Sequence, residues 1–286
     1  MKKWYILYIL SALIIIIIIF TRIWNIFPQK NYDTEIHFLE IPIGNCTLIK
    51  TKEKNVLIGE ASEKDSKYIK EYLNSQKVNT ISELIIASPS KEKVLGFEDL
   101  LKHYDVEKIY LPHITDLDKP TNDFLNVAKN DGVFIYQINN GEEWKVGEIT
   151  LSFLRPSSDT TIPEKEKKAI VKLTLPKKSI LLLPTMEKID KIDLMLSSSK
   201  LKADILKVNG KGREEFLQED FLKAVNPDVI IFANNSKVKE KELQSIYSWD
   251  SSVNVVSIYE EGYLLFYGEK GKYSMTSRKN LSVRVQ

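Results

Sequence analysis

One cysteine and three histidines are all that 286 residues supply of the side chains that most often hold transition metals. The lone Cys46 has no second thiol for an internal disulfide and none for a Cys-rich zinc knuckle. His37, His103 and His113 are too few for a His-rich metal centre to be easily built. An excess of one charge is missing too: 41 Lys and Arg stand against 39 Asp and Glu, a formal charge of +2. A dedicated phosphate-backbone binder concentrates basic charge to displace counterions, so that class is disfavoured. There is no internal repeat and no low-complexity tract. The content of 43% hydrophobic and 28% charged residues excludes both a disordered tail and a many-spanning membrane protein, and points to one or two ordinary domains.

The chain does carry one long apolar run. Trp4 to Phe20 is interrupted only by Ser11, includes six consecutive isoleucines from Ile14 to Ile19, and continues through Thr21 to Phe27. That is long enough to cross a hydrocarbon core and leaves no polar face for water. Met1-Lys2-Lys3 ahead of it favours a cytoplasmic N-terminus with the rest of the chain outside, although Arg22 works against this. No small-x-small cleavage site follows, so an uncleaved anchor is expected, with Trp4, Tyr5 and Trp24 at the two interfaces. The expected division is a stub and transmembrane anchor at 1–27, a linker at 28–34, a body at 35–271 and a frayed tail at 272–286.

Within the body, β-branched runs alternate with amphipathic segments. Strands are predicted at Glu35 to Ile41, Cys46 to Thr51 and Val56 to Ile58, the last two joined by the charged turn Lys52 to Asn55. Tyr68, Ile69, Tyr72 and Leu73 form the stripe of a helix over Lys64 to Gln76. Further strands are predicted at Leu84 to Ala87, Ile109 to Leu111 and Phe134 to Ile138, with helices at Phe97 to Tyr104 and Asn122 to Asn130. The second half opens with strands at Ile149 to Phe153, Ala169 to Leu175 and Ser179 to Leu183. Helices at Glu187 to Leu196 and Glu214 to Ala224 then alternate with strands at Ile205 to Val208 and Val229 to Ala233. Val253 to Ser257 and Gly262 to Tyr267 are predicted as a closing strand pair. Two β-rich openings, each followed by helices needing an apolar surface, imply two packed sheets with helices on both outer faces.

This order of segments resembles the metallo-β-lactamase fold, and within it the domain of ComEC-type competence DNA-uptake proteins and their secreted relatives. The resemblance runs from about Glu35 to Gly271. It rests on Glu35-Ile36-His37-Phe38-Leu39-Glu40-Ile41-Pro42-Ile43-Gly44-Asn45-Cys46, on Leu201-Lys202-Ala203-Asp204-Ile205-Leu206-Lys207-Val208, and on Phe221 to Pro227. It implies an α/β four-layer αββα sandwich, here preceded by one N-terminal transmembrane helix.

The resemblance also implies a two-metal hydrolytic centre, in which imidazoles and carboxylates hold the ions and a bridging hydroxide attacks an ester, amide or phosphodiester. The ligand positions do not follow. Against the family's Ser-His-Pro-His-x-Asp-His-x-Gly-Gly, the chain reads Ala87-Ser88-Pro89-Ser90-Lys91-Glu92-Lys93-Val94-Leu95-Gly96. Ser88 and Ser90 stand for the first two histidines, Glu92 for the aspartate and Lys93 for the third histidine. Thr185 stands for the bridging aspartate, Gly210 and Lys211 for the later His-His pair, and Gly59-Glu60-Ala61 for the early Asp-Gly-Gly. A hydroxyl is a poor zinc ligand, and a lysine places positive charge where a dication would bind. A body without metal or other cofactor, and without metal catalysis, is therefore expected.

Other constellations are weaker. Ser90-Lys91-Glu92-Lys93 spells Ser-x-x-Lys, but the companion Ser-Asp-Asn and Lys-Thr-Gly signatures of serine β-lactamases are missing. His113 with Asp116 and Asp118 is better explained as a Pro-bounded acidic loop than as a cation site, His37 as structural, His103 as the solvated end of a helix and Cys46 as a small buried hydrophobe. Lys91, Lys93, Lys211 and Arg213 would line a cationic cleft if all four converged on the mouth of the site, although ordinary solvated loop charges account for them as well. The expected function is an anchored extracytoplasmic binding or scaffolding protein, whose partner is the membrane through its helix and either a protein or an anionic polymer, nucleic acid included. The competing class is a divergent hydrolase, phosphodiesterase-like or using Ser90 with Lys93. On the expected topology, protease added to intact cells degrades the body; a body that survives while a surface control is cut would reverse the orientation.

Overall fold

Alternation along the first strands explains why the sheet they form is covered on both faces. Ile36, Phe38, Ile49, Val56 and Ile58 enter one apolar cluster, whereas Cys46, Leu48 and Leu57, which alternate with them, enter another. In the computed structural model the described residues are 32–114, 117–155, 168–185, 194–195, 200–209, 213–233, 237–269, 272–279 and 282–284. The chain divides into two compact units, Met1–Tyr32 and Asp33–Gln286, and the described residues, Tyr32 aside, belong to the second. The expected span from Trp4 to Phe27 lies outside them; among the described residues no helix is long and apolar enough to cross a membrane.

A meander of β1 (Thr34–Phe38), β2 (Asn45–Thr51) and β3 (Asn55–Glu60) starts the first sheet. β4 (Thr80–Ile81) pairs with β6 (Asp105–Val106) in a separate short ladder, while β5 (Glu83–Ile86), β7 (Lys108–Pro112) and β8 (Phe134–Ile138) extend the first sheet in parallel. The second sheet takes β9 (Glu143–Val146), β10 (Ile149–Arg155), β11 (Ile170–Thr174) and β12 (Ser179–Thr185) antiparallel. It continues in parallel with β13 (Ile205–Asn209), β14 (Val229–Phe232) and β15 (Asn254–Ser257). β16 (Leu264–Glu269), β17 (Lys272–Ser277) and β18 (Ser282–Arg284) return to the first sheet beside β1. The result is a nine-stranded and a seven-stranded sheet.

Between the sheets lies one core, with Ile36, Phe38 and Ile58 facing Val171, Leu173, Ile205 and Ile231. Helices α1 (Ser66–Ser75), α2 (Lys91–His103) and α3 (Lys119–Asn130) bury Ile69, Phe97 and Phe124 against the outer face of the first sheet. Helices α4 (Glu219–Val225) and α5 (Glu240–Trp249) bury Phe221 and Ile246 against the second, and the short α6 (Ile258–Glu261) follows β15. This is the expected mixed α/β sandwich with helices on both outer faces.

Several local expectations are corrected. Helix α2 begins at Lys91 rather than Phe97, with the extended backbone of Ser90 at its N-cap. The predicted helix over Glu214 to Ala224 is two pieces, a 3-10 turn at Arg213–Leu217 and then α4, parted at Gln218. Helix α5 was not anticipated, although Leu243, Ile246 and Trp249 fall at helical spacing along it. Val253 to Ser257 and Gly262 to Tyr267 do not pair; β15 and β16 belong to different sheets, with α6 and Gly262 (φ 79°) carrying the chain between them. The segment from Lys272 is not a tail. Its Met275 is buried in the inter-sheet core, and β17 pairs with β16 over six positions.

One close approach fixes how α2 meets the first sheet. Gly96 N–H donates to Ala61 O at 3.0 Å and Ala61 N–H to Lys93 O at 2.9 Å. A Cβ on Gly96 would fall 2.3 Å from Ser62 O and 2.6 Å from Ala61 Cβ. Gly96→Val should therefore push α2 off the end of β3 and lower stability by about 1–3 kcal/mol, read as a drop in urea midpoint. An unchanged midpoint would show that the contact is not tight.

Candidate functional site

Strand β3 ends on Glu60, whose side chain is 1% exposed, and α2 starts its first turn within reach of it. Lys93 Nζ donates to Glu60 Oε1 at 2.8 Å and to Ser88 Oγ at 3.1 Å. The other carboxylate oxygen, Oε2, accepts from Thr185 N–H at 3.1 Å and from Thr185 Oγ1 at 2.8 Å. Asn209, the last residue of β13, donates from Nδ2 to Thr185 Oγ1 at 3.3 Å. Both carboxylate oxygens are thus engaged by groups from α2 and β12, and a charge-assisted network closes the ends of both sheets.

Beneath this network the two sheets meet at a polar seam inside an otherwise apolar core. Lys207 lies two residues after Ile205 on the same face of β13 and so points between the sheets, where its ammonium donates to Thr47 Oγ1 at 2.7 Å and to Cys46 O at 3.3 Å. Burial pushes the Lys207 amine down to about 7 from its ordinary value of 10.5. Burial likewise pushes the Cys46 thiol up, which makes it an inert core group. Asn45 Nδ2 donates across to Leu183 O at 3.2 Å. Asn45 Oδ1 and Asn209 Oδ1 are buried without a hydrogen-bond partner. A cavity of about 10 Å³ lined by Asn45, Thr47, Glu60 and Lys207 sits at this seam, about the room one water needs.

Of the positions singled out in the sequence, Ser88, Lys93 and Thr185 come together on Glu60. Gly59 adjoins them, and a Cβ there would stand 1.9 Å from Asn45 O, so it is kept by the β2–β3 pairing. Ser90 and Glu92 do not join them: Ser90 is the N-cap of α2 and Glu92 is exposed on its first turn. Gly210 and Lys211 lie outside the described residues, as does the side chain of Lys91. Arg213 does not open onto a cleft. It is 4% exposed, donates to Glu242 from Nε at 2.7 Å and from Nη2 at 3.0 Å, and stands 4.8 Å from the Phe232 ring centroid. A guanidinium so enclosed is neutralised by its partner and is no use to an incoming anion.

The remaining histidines are elsewhere. His103 Nδ1 donates to Asp99 O at 2.8 Å at the exposed end of α2, and His113 meets Gln137 Oε1 at 2.6 Å. Asp118 caps α3 through Thr121 N–H at 2.8 Å, while Asp116 lies outside the described residues. Asn45, Lys207 and Asn209 were not anticipated as site residues; the one available signal was a lysine breaking the apolar alternation of β13.

A dinuclear metal centre does not fit this donor set. One carboxylate, two hydroxyls and an ammonium 2.8 Å from that carboxylate cannot replace imidazoles and bridging carboxylates. Among the described residues no group of three or more His, Cys, Asp and Glu could hold a metal ion.

The architecture is nevertheless that of the metallo-β-lactamase fold. The metallo-β-lactamase fold protein YhfI from Bacillus subtilis superposes with a TM-score of 0.54 at 9% identity, over 78% of this chain and 95% of that one. CmlA, a diiron β-hydroxylase from Streptomyces venezuelae, gives 0.50 at 10% identity over 79% of this chain and 52% of its own. In sequence, the chain is related to ComE operon protein 3 of Bacillus subtilis (strain 168), with 21% identity over 162 residues, or 57% of this chain. It spans about a fifth of that relative's length, 21%. No protein-family model matches.

The buried amine has a measurable consequence. Lys207 titrates near 7 in the folded protein and at 10.5 otherwise, so between those values the unfolded chain holds one proton more and stability rises with pH. Lys207→Met should flatten that rise, seen in urea midpoints measured from about pH 7 to about pH 9. Equal slopes in the two proteins would rule out a buried, depressed amine.

Proposed function

We propose that the chain is a single-pass, membrane-anchored protein whose extracytoplasmic body keeps the metallo-β-lactamase fold without its hydrolytic chemistry, and that it acts by binding or scaffolding. The observation that carries this reading is the Lys93 ammonium seated 2.8 Å from Glu60, an internal cation beside the one buried carboxylate of the site. A dication brought there would be repelled by that ammonium and would have to break the pair to gain a single carboxylate ligand. The apolar run from Trp4 to Phe27 supports the anchor, and Lys2 and Lys3 before it support the orientation.

A divergent Ser-Lys hydrolase is less well supported. Lys93 contacts Ser88 rather than Ser90, Ser88 is 5% exposed, and an ammonium donating to both Ser88 and Glu60 has no lone pair to take a proton from the hydroxyl. An anionic-polymer binder is also less well supported, because Lys93 and Arg213 are matched by Glu60 and Glu242. A protein partner is the favoured ligand.

The full chain, purified in a nonionic detergent without chelator, should hold far less than about one zinc, manganese or iron per chain, before and after incubation with excess metal and desalting. It should hydrolyse neither generic esters nor phosphodiesters. Metal at about one per chain that disappears in Glu60→Gln would return the chain to the metallohydrolases.

A further inference from the structure

On the outer side of the first sheet, away from the residues around Glu60, a second constellation is built on His37. Its ring is 1% exposed, with Nδ1 2.8 Å from Tyr72 Oη and Nε2 3.1 Å from Glu35 Oε2. Burial holds the His37 imidazole below its ordinary range, against the pull of Glu35, so near neutral pH it carries one proton. A carboxylate can only accept, so that proton sits on Nε2 and Nδ1 accepts from the phenol. Tyr72 is neutral as well, since burial raises its pKa well above the usual phenol range. Its only hydrogen is committed inward, and its oxygen has lone pairs alone to offer outward.

Tyr72 forms part of the wall of an open pocket of about 590 Å³. Helix α1 supplies Tyr68, Glu71, Tyr72 and Ser75 at the spacing that puts them on one face. Tyr263, beside β16, meets the Tyr72 ring edge-on at a centroid distance of 5.1 Å, and Tyr68 remains 47% exposed. The charged wall residues are Glu40, Glu71 and Arg278, and Arg278 is held by Glu40 at 3.2 Å. Glu71 forms an exposed i,i+4 ion pair with Lys67 at 3.8 Å, a weak contact that leaves its carboxylate accessible to solvent. The loop that contributes Glu40, Ile41 and Pro42 is preformed: just beyond it, Ile43 and Gly44 N–H both donate to the buried Asp65 carboxylate at 2.9 Å.

Three phenol rings, the exposed Glu71 carboxylate and a hydroxyl restricted to accepting complement a cation that carries N–H donors. We propose that this pocket is a binding site for a small primary alkylammonium ion, its N–H groups donating to Tyr72 Oη and to Glu71 and its alkyl part lying against the rings of Tyr68 and Tyr263. The site shares no residue with the network on Glu60 and does not depend on the absence of catalysis there.

The test is a titration of the full chain in nonionic detergent with n-butylammonium, tetramethylammonium and butyrate, followed by calorimetry and by tyrosine fluorescence. Butylammonium should bind, tetramethylammonium, which has no N–H, about tenfold more weakly, and butyrate not at all. Glu71→Gln, at an exposed position whose loss should leave the fold intact, should weaken butylammonium by about three- to tenfold. Tyr263→Leu should weaken both cations together. Tyr72→Phe should bring the two cations to similar affinity by removing the acceptor. No binding of butylammonium up to about 50 mM, equal binding of butyrate, or affinity unchanged in both Glu71→Gln and Tyr263→Leu would overturn the proposal.

Discussion

A carboxylate taken out of water has to find its donors within the fold, and Glu60 imposes that requirement on everything around it. At 1% exposure its charge cannot be left to solvent, and an unmatched ion at that depth would cost several kcal/mol. Lys93 answers from one side and Thr185 from the other, with backbone as well as hydroxyl. The geometry of α2 follows from this. The helix must begin early enough for its third residue to face β3, and Gly96 must be a glycine for the helix to come close enough. Thr185 in turn lies at the end of β12, so the same carboxylate ties the second sheet to the first.

Much of this frame was legible in the sequence and part of it was not, and the division has a physical origin. Strand and helix order was readable because the central strands bury alternate residues in two different cores, which leaves an apolar signature whatever the partners are. Lys93 and Thr185 could be assigned to the site by their place in a motif. Asn45, Lys207 and Asn209 could not, because their partners are chosen across the gap between sheets: Asn45 bonds a carbonyl 138 residues away and Lys207 a hydroxyl 160 residues away. Arg213 was misjudged for the related reason that its partner Glu242 lies 29 residues further along, in α5. The strands after Gly262 were misread because β16 is specified by pairing with β1 at the opposite end of the chain, and β17 only by pairing with β16.

Among the buried charged groups are two cations, Arg213 and Lys207, that a purely apolar core would not choose. Arg213 with Glu242 is a matched pair, each partner satisfying the other in bidentate fashion, and such a pair fixes where the turn before α4 lies against α5 more than it adds stability. Burial takes the Lys207 ammonium out of water and so depresses its affinity for a proton, and the seam offers it at hydrogen-bonding distance only neutral oxygens from β2 in compensation. The adjacent small cavity and the two unpartnered amide oxygens of Asn45 and Asn209 show that, among the described residues, hydrogen bonding at this seam is incomplete.

This interdependence limits what any single replacement could do. Placing a histidine at Lys93 would supply an imidazole but remove the cation that matches Glu60, leaving a buried carboxylate with only Thr185 as donor. Placing an aspartate at Thr185 would set a second carboxylate against the first and withdraw the hydroxyl to which Asn209 donates. Each change toward a metal ligand is therefore unfavourable until several others accompany it, because the metal's positive charge would have to arrive as the lysine's left. The network of Glu60, Lys93, Ser88, Thr185 and Asn209 is self-consistent as a neutral, closed junction between two sheets. On the outer side of the first sheet, by contrast, the buried His37 takes the phenol hydrogen of Tyr72, a residue that lines an open pocket rather than a closed junction.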